Sequence, residues 1–555
     1  MNFPWFQKYP GGIPHEIDPE LYPSILELFE ESTQKYRDLP AFENMGKRIT
    51  FGELDELTAK FASYLQNVAG LEKGDRVALQ MPNLLQYPVV MFGVLRAGMV
   101  VVNTNPLYTA REMEHQFKDS GATAVVILAN FAFNLQKILD KTAIKTIVIT
   151  EIGDMLGGFR STLVNWVVKR IKKMVPHYKL PQAVKLRDAL KQGNASSYER
   201  PHLESGDIAF LQYTGGTTGV SKGAMLLHRN ILANMEQISA WMTPRLQERH
   251  EIVITALPLY HIFALTVNCL SMLKIGALNV LITNPRDMPA FIKELSAHKF
   301  TVITGVNTLF NGLLNQPSFE SVDFSALKIT VGGGMAVQKA VALKWEEVTG
   351  IPLAEGYGLT EASPVLSCNP IDGTEKLGSI GLPVPSTEIK ILDEQGQEVP
   401  LGEVGELCAR GPQVMAGYWQ RPAETEKTMI GEWLKTGDMA AASEDGFFQI
   451  VDRKKDMILV SGFNVYPNEV EDVIANHPKV MEVAAVGVPD EKSTEAVKVF
   501  IVKKDHSLTQ EEIRGFCKEN MTGYKCPKHV EFREDLPKTN VGKILRRKLK
   551  EEQQS

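Results

Sequence analysis

Positions 213–223 carry an unusual density of small and donor residues: Tyr213-Thr214-Gly215-Gly216-Thr217-Thr218-Gly219-Val220-Ser221-Lys222-Gly223, with Ala224 next. The glycines let the backbone bend tightly and come close to a ligand. The hydroxyls and Lys222 add donors and a cation. A loop built this way can wrap a polyphosphate. It is not a Walker A loop, which needs Gly-Lys-Ser/Thr, because Lys222 is followed by Gly223.

Three later stretches carry further chemistry. Gly356-Tyr357-Gly358-Leu359-Thr360-Glu361 sets an aromatic ring, a hydroxyl and a carboxylate in six positions. Trp433-Leu434-Lys435-Thr436-Gly437-Asp438 ends on a carboxylate, and Asp452-Arg453-Lys454-Lys455-Asp456 follows as a charge run. Leu536-Pro537-Lys538-Thr539-Asn540-Val541-Gly542-Lys543 ends on a lysine within a basic terminus. Gly332-Gly333-Gly334 adds a flexible stretch, and Leu257-Pro258-Leu259-Tyr260-His261 closes on a histidine. His261 reads either as a satisfied core residue or as a site residue.

Elements of alternating type must position these groups. Apolar runs at 76–79, 100–102 and 124–127 read as strands, with helical patterns at 24–36, 52–65, 85–96 and 110–120 between them. Ile208-Ala209-Phe210-Leu211 is a strand leading into the glycine-rich loop. A helix at 230–241 and strands at 252–256, 280–282, 301–304 and 327–331 continue the alternation. This pattern predicts parallel sheets covered on both faces. Short strands and turns replace it near 385–451, and helix–strand alternation returns beyond the charge run. The expected fold class is α/β. A large N-terminal domain (1–451) holds two α/β units plus a β-rich subdomain (about 385–451). A hinge at 452–456 leads to a small, mobile C-terminal α/β domain (457–555).

At 555 residues the chain is too long for one core. A net charge of -6 argues against a general nucleic-acid binder. Five cysteines without a CxxC pair fit a reducing cytoplasm. No apolar signal core and no membrane-spanning run is evident. Between Phe159 and Leu180, apolar residues recur at helical spacing beside Lys169, Arg170, Lys172 and Lys173. Such a helix could lie on an anionic membrane surface, at the inner face of the cell membrane. It could also pack on the body with its basic face in water, as most amphipathic helices do. Whether the chain forms a homodimer stays open.

Together, in this order and at these distances, the four motifs resemble those of the adenylate-forming superfamily, over nearly the whole chain. The run 433–464 and the text around His261 are similar to its long-chain acyl-CoA ligases. The resemblance implies ATP-dependent ligation of long-chain fatty acids to coenzyme A through an acyl-adenylate, for fatty-acid uptake and β-oxidation. A medium-chain or aryl acid ligase, and a non-catalytic lipid-binding protein of the same fold, remain alternatives. The implied cofactors are ATP, Mg²⁺ and coenzyme A.

Residue by residue, the resemblance places Tyr213 to Ala224 around the phosphates. Glu361 and Thr214 would hold Mg²⁺, and Thr360 would bond the α-phosphate. Tyr357, Gly358 and Gly332-Gly333-Gly334 would lie against adenine. Asp438 and Arg453 would reach the ribose. Lys543 would contact the reacting carboxylate and α-phosphate. Lys455 lies in the hinge, and Gly462 belongs to the region that turns toward coenzyme A. His261 would lie near the acyl channel, with Val306, Leu309, Phe310 and Leu313 as candidate tunnel residues.

Overall fold

The computed structural model describes residues 3–214, 221–490, 493–539 and 542–553. Fully buried apolar runs such as Val100–Asn103 and Ala124–Leu128 form inner strands, because neither face of such a run tolerates water. They belong to a seven-stranded sheet whose order is Val184–Lys185, Thr146–Thr150, Ala124–Leu128, Arg76–Gln80, Val100–Asn103, Ile208–Thr214, Lys222–Leu227. All neighbours are parallel except the last pair, which is an antiparallel hairpin. The glycine-rich loop therefore joins two paired strands, not a strand and a helix.

A second, nine-stranded sheet has a parallel middle: Leu278–Leu281, Ile252–Thr255, Val302–Gly305, Ile329–Gly332 and Leu353–Gly358. Val365–Cys368 and Leu382–Pro383 extend it antiparallel at one edge. The other edge is the hairpin Pro40–Asn44 and Lys47–Thr50, with Pro40–Asn44 parallel to Leu278–Leu281. The chain thus crosses early to the second sheet through this hairpin, and Phe51 then opens a helix.

Helix limits follow local chemistry. Thr50 and Thr109 cap Phe51–Ser63 and Ala110–Ser120 in reciprocal boxes with Glu53 and Glu112, so each leading turn has its amides satisfied. The helix expected at 159–180 is shorter. It spans Gly158–Trp166 and continues as a wider turn through Val167–Ile171. The stretch stops before Lys173, whose left-handed backbone (φ +50°) leaves the helical path. Phe159 (80% exposed), Trp166 (53%) and Ile171 (61%) face outward. These three rings and side chains do not pack on the body.

One hydrophobic core runs through both large sheets and the inner residues of the β-rich sheet, among them Ile389, Leu407 and Leu434. The C-terminal part has a core of its own, built on Ile458, Val465, Val470, Ile474, Val499, Ile501 and Ile513. The fold is thus a large N-terminal α/β domain and a small C-terminal one. Between them, Asp452 lies within the strand Phe448–Arg453, and a turn occupies 454–456. Among the described residues no helix is long and apolar enough to cross a membrane. All five cysteines are unbridged.

Candidate active site

The ends of several strands meet at a cavity of about 1590 Å³ between the large and small domains. Tyr213, Thr214, Ser221 and Lys222 enter it from the hairpin Ile208–Thr214 and Lys222–Leu227. Tyr213 donates its hydroxyl to Asp119 at 2.7 Å, and Asp119 pairs with Arg421 at 2.6 Å. This chain ties the stem of the loop to the β-rich part. Gly215, Gly216, Thr217, Thr218, Gly219 and Val220 lie outside the described residues. Gly223 and Ala224 do not line the cavity. Ala224 is buried and bridges to Tyr418, so it supports the loop and does not face a ligand.

Lys222 pairs with Glu424 at 2.8 Å and sits over the Tyr418 ring. Tyr418 in turn donates to Oε1 of Glu361 at 2.6 Å. Burial, then the neighbouring negative charge of Glu361, raises the Tyr418 hydroxyl far above its ordinary pKa, so it stays a donor. Tyr418, Asp119 and Arg421 were missed by sequence reasoning, because each acts through a partner remote in the chain.

Tyr357 and Gly358 end the strand Leu353–Gly358, Thr360 and Glu361 follow it, and all four line the cavity. Tyr357 donates to Oδ2 of Asp438 at 2.7 Å, and Arg453 lies 3.3 Å from Oδ1. Asp438 and Arg453 are direct partners on antiparallel strands, which explains why two separate motifs converge. Gly333 and Gly334 line the cavity. A Cβ on Gly333 would stand 3.1 Å from both the Gly356 carbonyl oxygen and the Phe263 ring. Gly332 does not line it. A Cβ there would meet Leu353 at 2.6 Å and Val337 at 2.7 Å, so this glycine serves packing.

Lys543 comes from the small domain. Thr539 closes the turn that presents it, through Thr539 N to Lys543 O at 2.7 Å and Lys543 N to Thr539 Oγ1 at 3.1 Å. The side chain keeps some surface open to the cavity but lies deep within protein. Burial, then the positive charge of Arg453, lowers the ammonium from 10.5 to about 7, and Asp438 opposes this. Arg546, just beyond, anchors the segment: it donates to Glu471 at 2.6 and 2.9 Å and to Asn468 at 2.5 Å, and lies 3.5 Å from Asp452. Lys455 also lines the cavity, its pKa lowered first by burial and then by Arg453.

His261 faces the same space, and burial with the nearby Lys543 charge lowers it to about 4. It is therefore neutral at neutral pH. Glu355, unremarked in the sequence, lines the cavity too. Burial raises it to about 8 although it accepts from Val337 N at 3.2 Å. Its only signal was its place directly before Gly356-Tyr357. Gly462 is not among the lining residues. It sits in the turn between Ile458–Val460 and Phe463–Val465.

The cavity is also lined by apolar side chains, among them Ile238, Trp241, Met242, Val267, Val384 and Val365. Of the four candidate tunnel residues only Val306 lines it. Leu309, Phe310 and Leu313 are core, with Phe310 edge-on to Trp345 at 4.7 Å. The helix His228–Met242 instead contributes Ile238, Trp241 and Met242 to the lining. Its residues looked like ordinary core at helical spacing.

The chain matches known proteins over most of its length. The family model described as AMP-binding enzyme matches residues 29–419, and that of the AMP-binding enzyme C-terminal domain matches 469–543. The chain is 59% identical to a long-chain-fatty-acid–CoA ligase of Escherichia coli O6:H1, covering 100% of this chain and 98% of that protein. It is 40% identical to one of Bacillus subtilis, covering 99% and 98%. Among solved structures, the anthranilate CoA ligase AuaEII in complex with anthranoyl-AMP superposes with a TM-score of 0.86 at 25% identity, over 96% of this chain and 98% of that one. ATP-bound MatB from Rhodopseudomonas palustris gives 0.81 at 27% identity, over 95% and 98%.

Proposed function

Because the chain belongs to the AMP-binding enzyme family, whose models match most of its length, we propose that it ligates long-chain fatty acids to coenzyme A through an acyl-adenylate. The observation that carries this is one cavity lined both by the charged side chains Lys543, Asp438, Arg453 and Glu361 and by the apolar side chains Ile238, Trp241 and Met242. A nucleotide fits the first and an alkyl chain the second.

In the first half-reaction the fatty carboxylate oxygen attacks the α-phosphorus of ATP, and the bond to pyrophosphate breaks. Lys543 meets the charge that develops on carboxylate and α-phosphate. Thr360 bonds the α-phosphate, Asp438 with Arg453 takes the ribose hydroxyls, and Tyr357 stacks on adenine. The described residues hold no cluster of three or more metal-ligating side chains. One carboxylate, Glu361, with the Thr214 hydroxyl suits Mg²⁺, which keeps waters and substrate phosphate oxygens as its other ligands. When bound, that ion neutralises phosphate charge. In the second half-reaction the thiolate of coenzyme A attacks the acyl carbon and AMP leaves.

The two half-reactions use two orientations of the small domain, 457–555, about the stretch 452–456. Rotation withdraws Lys543 and brings the turn at Gly462 toward the pantetheine arm. The test is fatty-acid-dependent ATP–pyrophosphate exchange across chain lengths, with wild type and Lys543→Ala. Exchange that requires a long-chain acid and falls by orders of magnitude in the variant supports the reading. Exchange with aromatic acids only would change the substrate, and none with any acid would refute adenylation.

The protein works in the cytoplasm and docks peripherally on anionic membrane. Exposed Phe159, Trp166 and Ile171 beside Lys169, Arg170, Lys172 and Lys173 support this. Replacing the four cations by Gln should lower binding to anionic vesicles. Unchanged binding, with self-association through the same face, would favour a homodimer contact instead.

A further inference from the structure

Three side chains of the large domain donate hydrogen bonds to main-chain carbonyls of the small domain. Thr308 Oγ1 donates to Gly542 O at 2.9 Å, Asn311 Nδ2 to Met481 O at 3.0 Å, and Arg286 to Thr539 O at 3.3 Å. Two of the three acceptors, Thr539 and Gly542, belong to the turn that presents Lys543. Thr308 and Asn311 lie one turn apart on the helix Asn307–Leu314, so one face of one helix supplies both. The approach is close: a Cβ built on Gly542, whose φ is +85°, would stand 2.6 Å from Thr308 Oγ1 and 3.2 Å from Val306.

We propose that Thr308, Asn311 and Arg286 form a latch that holds the small domain in its adenylating orientation and is released for thioester formation. None of the three is needed to touch a reacting atom; they are positioning residues. The latch reads only backbone carbonyls, so it reports the place of the small domain and not the identity of its side chains. It has something to oppose, because docking buries the Lys543 ammonium beside Arg453 and Lys455. Bonds of this kind offset that cost in the docked orientation alone, and bonds of modest strength leave the domain able to leave again.

The inference rests on the two-orientation reading above. It is tested by measuring each half-reaction separately in the full chain: fatty-acid-dependent ATP–pyrophosphate exchange, and thioester formation from supplied acyl-adenylate and coenzyme A. Thr308→Val and Asn311→Ala should each lower exchange about fivefold. The triple variant with Arg286→Ala should lower it by about 10²-fold, as expected for hydrogen bonds of ordinary net strength. Thioester formation should stay within about twofold, which also shows that the variants fold. Thr308→Ser, which keeps the donor, should retain exchange. With exchange established in wild type, equal loss of both half-reactions, or no loss of exchange, overturns the latch. Without wild-type exchange, the parent reading and the latch fall together.

Discussion

The Lys543 ammonium offers a quantitative test. The cavity lowers it from 10.5 to about 7, with burial as the leading cause and Arg453 next. At pH 8 a group of that pKa is only about one-tenth protonated. ATP brings several negative charges to the same space. Each, at about 4 Å and an effective dielectric of about 20, is worth about 4 kcal/mol to an ammonium, or roughly three pKa units. That restores the ordinary lysine range, so the bound state is fully protonated. Nucleotide binding therefore takes up about 0.9 proton through Lys543 at pH 8, and only about 0.1 at pH 6, where the lysine is already charged. The sign is specific: uptake rises with pH from 6 to 8. Calorimetric titration of ATP·Mg²⁺ in buffers of different ionisation enthalpy measures it, with Lys543→Met as reference, since titration of ATP itself cancels between the two. Equal uptake by both proteins at pH 8, or a difference that shrinks as pH rises, would refute the placement of Lys543 in the nucleotide cavity.

Glu355→Gln should leave stability near pH 5 unchanged and raise it toward pH 8. The folded carboxyl is raised from 4.5 to about 8, so wild type loses stability as pH climbs through that window. Discounted for contact with cavity water, the gain is about 1–2 kcal/mol, seen as a higher Tm at pH 8 than at pH 5 relative to wild type. Tyr418→Phe frees Glu361 from its donor and should weaken the Mg²⁺ dependence of exchange about tenfold, read from a Mg²⁺ titration; unchanged dependence would remove Tyr418 from the site. Arg546→Met leaves Glu471 and Asp452 without their cation and should cost about 3–5 kcal/mol, seen as early melting of the small domain.

Much of the chemistry was legible as local text. Thr360 and Glu361 lie within one motif, and the Thr109 box announces its helix. The strand Ala124–Leu128 is a buried run that could be little else. These features depend on neighbours a few residues away, and sequence records those directly.

What the fold alone decided are the encounters between distant segments. Asp438 meets Tyr357 and Arg453 because two antiparallel strands bring it beside a strand end of the large sheet. Helical spacing could not tell that Ile238, Trp241 and Met242 line a cavity while Leu309, Phe310 and Leu313 fill the core, since both sets are apolar faces of short helices. Nor could it show that the Lys543 ammonium is lowered from 10.5 to about 7, because a pKa is set by what surrounds the group in space. Residue types set which reactions the chain could perform. Burial and the meeting of remote strands decided where, and with which partners, those residues act.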